Sequence, residues 1–171
     1  MVVDIIIKRD RSYRVIVKGK VGPHSGDNNL RSEFRELVGW AKKNKIRTGK
    51  WLMFELDGPE APLSKRRWEA CLEVKGTFNT KPEDDLSFRR LPAQLVASVT
   101  FDPDQFSTRL VYHGLECWLE WRTKRGEMKE AGPTREVYIG DPWTNAKSWA
   151  NTEVQVPVER INQEPRSEYP D

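Results

Sequence analysis

REVYIGDPWTNAKSWANTEVQVPV, residues 135–158, decides the fold, because its two halves echo FELDGP at 54–59 and WEACLEV at 68–74. YIGDP aligns with FELDGP through Asp141 and Asp57, and TEVQVPV aligns with WEACLEV, both at an offset of 84. Working outward, AQLVAS and WLEWRTKR around Val96 and Trp121 echo SYRVIV and LVGWAKKN around Val15 and Trp40 at an offset of 81. One insertion of three residues between helix and hairpin reconciles the two offsets. Duplicated halves that pack together enclose a pseudo-symmetric groove, so differences between them mark where function is expected. The clearest difference is Glu136, whose counterpart in the first half is Leu52.

Each half reads as strand, helix, strand, strand. SYRVIV at 12–17 is β-branched and aromatic, and the Gly, Pro and Asn-rich stretch 19–29 breaks the chain after it. Leu30, Phe34, Leu37, Val38 and Ala41 recur at helical spacing, with Asn28 or Asn29 as cap. WLMFEL and WEACLEV supply two strands. The polar segment 75–90 connects the halves, and Leu95–Val99 opens the second. There Ser107 or Thr108 caps a helix holding Leu110, Val111, Leu115, Trp118 and Leu119. The expectation is an α+β fold: two β-α-β-β repeats, about 5–75 and 91–160, form one antiparallel sheet with both helices on one face and a ligand groove on the other. Residues 1–160 make a single domain, and the polar tail 161–171 is expected to be loose.

Strand alternation sorts the hairpins into faces. If the valines lie under the helices, Val137, Ile139, Val154, Val156 and Val158 share one face, and Glu136, Tyr138, Glu153 and Gln155 share the groove. Through the offset of 84, the first half contributes Leu52, Phe54, Glu69 and Cys71 to that groove. Trp68 and Trp143 are candidate walls, Trp51 falls on the helix side with Met53, and the helical Trp40, Trp118 and Trp121 are expected in the core.

Composition bounds the function. With 29 basic and 26 acidic residues among 171, the net charge of +3 is a near balance. The cations after each predicted helix suit its dipole, and no nucleic-acid recognition motif accompanies them, so direct nucleic-acid binding is not expected. No run of apolar residues is long enough to span a membrane, and the start MVVDIIIKRD does not fit a signal peptide. Cys71 and Cys117 lie outside any CxxC spacing, which suits a reduced, cytoplasmic setting. Phosphate-loop, zinc-protease and nucleophile-elbow motifs are absent, and His24 and His113 are the only histidines, so neither a metal nor a cofactor is expected.

A carboxylate beside aromatic rings suits a lipophilic cation, since ring faces attract the charge and the partly desolvated acid fixes it. The same grouping suits hydrolysis, with Glu136 as base and Tyr138 as acid or orienter. Glu136 paired with Arg135 on a solvated face is the plainer reading.

The motifs RRWEACLEV (66–74), LPAQLVASV (91–99), GLECWLEW (114–121), REVYIGDP (135–142) and NTEVQVPV (151–158), in that order, resemble the GyrI-like small-molecule-binding family. Its members are effector-binding domains of AraC-type and MerR-type regulators and free-standing proteins. The resemblance covers about residues 5–160 and implies a two-repeat fold with a central groove, into which Glu136 reaches to meet cationic, lipophilic ligands. It also implies two alternatives: a hydrolase of cyclopropane-bearing toxins, using an acid and a tyrosine, or a gyrase-inhibitor type of interaction module. The chain departs from the family pattern in its longer HSGDNN loop. The tyrosine often found early in the second helix is present only as Tyr112. No helix-turn-helix motif precedes the first strand, so a stand-alone binding protein is expected. Glu136 would then be the counter-charge and Tyr138, Phe54 and Trp68 the walls, with Leu52, Cys71, Trp143 and Gln155 as further lining. The sequence leaves the oligomeric state open.

Overall fold

The computed structural model describes residues 4–23, 27–83 and 85–161. His24 and all of the 161–171 tail except Ile161 fall outside the described residues. Among the described residues nine strands and three α-helices follow in order: β1 (Ile6–Asp10), β2 (Tyr13–Val21), α1 (Asp27–Lys43), β3 (Arg47–Glu55), β4 (Arg67–Lys75), β5 (Ser87–Leu91), β6 (Gln94–Phe101), α2 (Thr108–Lys124), β7 (Met128–Glu130), β8 (Arg135–Tyr138), α3 (Ala146–Ala150) and β9 (Thr152–Arg160). The strands form one antiparallel sheet in the order β1-β6-β9-β8-β3-β4-β2-β5, with β7 added on β9.

That order forces the sheet to curl. Asp10 ends β1 and Tyr13 begins β2, yet six strand spacings separate the two strands across the sheet. Laid flat, six spacings are about 29 Å, whereas three Cα steps reach at most about 11 Å. The passage from Leu91 of β5 to Gln94 of β6 sets the same requirement. Both ends of the sheet therefore approach each other and enclose one face.

The enclosed face carries Tyr13, Val15, Val17, Leu52, Phe54, Cys71, Leu91 and Val137, all buried without a helix over them. Arg135 is inside as well, 2% exposed; its Nε donates to Gln155 Oε1 at 3.0 Å and its guanidinium lies 3.8 Å from Asp10 and over the Phe54 ring. The open face carries the helices. Phe34, Leu37, Trp40 and Ala41 of α1 pack on Trp68, Ala70, Leu72 and Val74 of β4. Leu115 and Leu119 of α2 pack on Val154, Val156 and Val158 of β9. With both faces covered, β4 is buried along nearly its whole length, which is why WEACLEV shows so little polar alternation.

The α+β class and the single antiparallel sheet stand as expected, but the faces do not. Glu136 pairs in register with Val154, and Val137 with Glu153, so Val137 and the β9 valines lie on opposite faces. Alternation holds only within a strand, and the 139–151 connection resets the phase. Leu52 pairs with Val137 inside the curl, and the residue across from Glu136 is Met53. The groove expected away from the helices is thus replaced by a closed, packed interior.

Smaller differences have local causes. Helix α1 starts at Asp27, which puts the expected caps Asn28 and Asn29 inside it, and Ser107 takes the N-cap position of α2 without a side-chain bond. The segment 75–90, expected to be connection, enters β5 at Ser87, and β1, β7 and α3 are too short for a periodic signal. Trp121, expected in the core, is 51% exposed, and Leu110, an apolar position of the same helix, is 68% exposed. Trp121 is instead flanked by the Arg122 and Arg125 guanidiniums at 5.5 and 4.4 Å from its ring centre. Among the described residues no helix is long and apolar enough to cross a membrane.

Removing Arg135 leaves the Gln155 Oε1 acceptor without its donor inside the curl and leaves Asp10 with Lys50, at 3.5 Å, as its cation. Arg135→Ala is expected to lower unfolding stability by about 3 kcal/mol in chemical denaturation; a loss below about 1 kcal/mol would show that this face is wet rather than enclosed.

Candidate functional site

The helix face has a floor where β8 meets β3. Register pairs Trp51 with Tyr138 and Met53 with Glu136, so these four side chains sit side by side on it. From one flank α1 contributes Phe34, stacked on Trp51 with ring centres 5.0 Å apart; Trp143 tilts against both, at 5.9 Å from Phe34 and 6.3 Å from Trp51. Asp141 places Trp143 by accepting its backbone N–H at 2.9 Å, which explains the Asp-Pro-Trp step after β8.

From the other flank α2 contributes Tyr112. Its hydroxyl donates to Glu136 Oε1 at 2.9 Å, and Tyr138 donates to Glu136 Oε2, so one carboxylate is held between two phenols. Burial first, and the adjacent Glu136 charge second, push both phenols well above the usual tyrosine range. They therefore keep their protons and act as donors. Each donated bond to the carboxylate fixes its orientation.

Tyr112 also lines two clefts. One, about 640 Å³, runs along α2 between Leu115, Leu119 and Val156 on the apolar side and Glu116, Glu120, Glu130, Lys124 and Lys129 at the rim. The second, about 460 Å³, lies between α2 and the loop after β3 and is lined by Glu55, Asp57, Glu60, Glu116 and Glu130 against Arg66 alone. Asp57 is partly spoken for: Arg67 bonds it through backbone and side chain and holds its carboxyl down, at about 2. Glu136 itself lines neither cleft; Tyr112 stands between it and both.

Of the residues expected at the site, Glu136, Tyr138 and Trp143 come together on the helix face. Leu52, Phe54 and Cys71 do not: all three are buried inside the curl, where burial pushes the Cys71 thiol far up and leaves it an inert hydrophobe. Gln155 is on that same inner face, holding Arg135. Trp68 faces α1 but is 1% exposed in the core, with its indole N–H donating to the Gly22 carbonyl at 3.1 Å. Tyr112, Trp51, Phe34 and Met53 were not among the expected site residues. Tyr112 was legible, because it precedes Leu115 and Leu119 at i+3 and i+7 and so shares the sheet-facing stripe of α2.

Comparison with known proteins fits this geometry. The sequence model of the GyrI-like small molecule binding domain matches residues 4–159. None of the curated proteins compared matches the sequence. Among solved structures, the EcmrR C-terminal domain is 21% identical at a TM-score of 0.69, over 94% of this chain and 100% of that one. A hydrolase from Listeria innocua is 12% identical at a TM-score of 0.59, over 90% and 91%. SAV2435 bound to tetraphenylphosphonium is 10% identical at a TM-score of 0.50, over 91% and 94%. At such identities the structural likeness is one of fold. The match along nearly the whole sequence carries more: the chain belongs to the GyrI-like small molecule binding domain family.

Proposed function

We propose that the chain binds a small lipophilic cation in the clefts that meet at Tyr112, with Glu136 as the counter-charge. The observation that carries this reading is the Glu136 carboxylate held by Tyr112 and Tyr138 directly behind two clefts, the smaller of which sets the carboxylates of Glu55, Asp57, Glu60, Glu116 and Glu130 against Arg66. A cleft lined by one sign of charge concentrates the opposite ion. The apolar wall of Leu115, Leu119 and Val156 suits a ligand whose charge is surrounded by hydrocarbon. Displacement of the Tyr112 ring would open the way from the clefts to Glu136 and to the aromatic group of Trp51, Trp143 and Phe34. Tetraphenylphosphonium, the ligand of SAV2435, has this chemistry and serves as a probe.

A second reading has its own support. A carboxylate between two phenols is also a layout for hydrolysis of a strained electrophile, and the Listeria innocua hydrolase shares the fold. In that case Glu136 takes the proton of the attacking water while a tyrosine hydroxyl orients it.

Two substitutions separate these readings. Glu136→Gln keeps the shape and removes the charge, so tetraphenylphosphonium binding should weaken roughly tenfold to a hundredfold by calorimetry, with little change for neutral triphenylphosphine oxide; equal losses for both would sink the counter-charge role. Tyr112→Phe keeps the ring and removes the donor, so cation affinity should change by less than about tenfold. Turnover of a cyclopropane-bearing alkylating substrate by the native chain, abolished by both substitutions, would instead establish the hydrolase.

A further inference from the structure

At the far end of the β2–β4 pair, where β4 runs out at Gly76, lies a cleft of about 480 Å³ lined by Arg11, Ser12, Arg14, Lys75, Gly76 and Arg90, with buried Tyr13, Glu73 and Val74 behind them. Its charge is the reverse of the clefts at Tyr112: four cations against one carboxylate. That carboxylate is already occupied. Glu73 Oε1 accepts from Arg11 at 3.2 Å and Oε2 accepts from the backbone N–H of Lys50 at 3.0 Å.

The remaining cations are placed by neutral groups. Arg14 donates to the Gly76 carbonyl at 2.5 Å and lies over the Phe78 ring at 4.6 Å. Arg90 donates to the Ser12 hydroxyl at 3.3 Å. Among the described residues no carboxylate pairs with Arg14, Arg90 or Lys75. Register makes the arrangement costly, because Arg14 and Arg90 are directly opposed on neighbouring strands and Lys75 is opposed by Arg47. Like charges in that relation destabilise a sheet unless something neutralises them. A carbonyl, a hydroxyl and a ring face each leave most donors of a guanidinium fork unused. Tyr13 backs the cleft from the other side of the sheet, with its ring in the interior of the curl, so the anion-facing donors are those of the cations alone.

We propose that this cleft is a binding site for a free phosphate-type oxyanion, of pyrophosphate size or a small phosphoester. Arg14 and Arg90 would grip its oxygens, and Lys75 and Arg11 would stand at the rim. Two guanidinium planes suit a tetrahedral oxyanion with several oxygens better than a single carboxylate, since each plane offers paired N–H donors. The site is independent of Glu136, which lies on β8 between the two helices.

Isothermal titration with sodium pyrophosphate, against sodium chloride at matched ionic strength, tests this. The native chain and Glu136→Gln should both show saturable binding, and the Arg14→Gln/Arg90→Gln double variant should bind at least about tenfold more weakly. Lys75→Gln, on the exposed rim, supplies the same readout if the double variant fails to fold. No saturable binding, or equal binding by the variants, would overturn the proposal. So would binding only to phosphatidylcholine vesicles that contain phosphatidic acid, which would place the site at a lipid surface instead.

Discussion

Two crossings of two residues each, at Arg11–Ser12 and Pro92–Ala93, constrain everything else in this molecule. Strands at opposite ends of the sheet cannot be joined by so little chain unless the sheet bends until its ends meet. Once bent, one face becomes an interior that holds Arg135, Gln155 and Cys71 among apolar side chains. The helices can only lie on the other face. A ligand groove that uses strand side chains must therefore open between α1 and α2, and its floor is whatever β3 and β8 present there.

That floor divides into an aromatic and an acidic part. Trp51, Trp143 and Phe34 lean on α1, while Glu136 is reached from α2 by Tyr112 and along its own strand by Tyr138. Because Tyr112 belongs at once to the carboxylate and to both clefts, it couples access to charge. The helix that carries it packs through Leu115 and Leu119, and the Tyr112 ring packs against the same cluster. Family membership sets the general role, small-molecule binding, and the proposed cation site would give that role its chemistry.

The sequence disclosed the order of elements and the class of fold, because helical spacing in Phe34, Leu37 and Ala41 and β-branched runs such as SYRVIV are local signals. It also singled out Glu136, Tyr138 and Trp143. It did not disclose which way Glu136 faces. Periodicity fixes relative facing within β8 and within β9, but not between them across a connection that contains α3. Choosing the common face by its valines put Leu52, Phe54, Cys71 and Gln155 at the site, although curling gives the inner face a core of its own. Trp51 lies on the helix side, as its alternation with Met53 implies, and that side holds the aromatic floor. The curl itself needs the pairing of β1 with β6, which involves residues far apart in sequence and leaves no local trace.

The proposed binding role requires a lipophilic cation to enter from the helix face, and a crystal structure of the chain with tetraphenylphosphonium tests that most directly. The phosphonium is expected between α1 and α2, with a phenyl ring against Leu115 or Tyr112, the Tyr112 to Glu136 bond broken, and an aromatic side chain within about 6 Å of the cation. Tetraphenylphosphonium held elsewhere on the surface, with Tyr112 still closed over Glu136, would contradict the account.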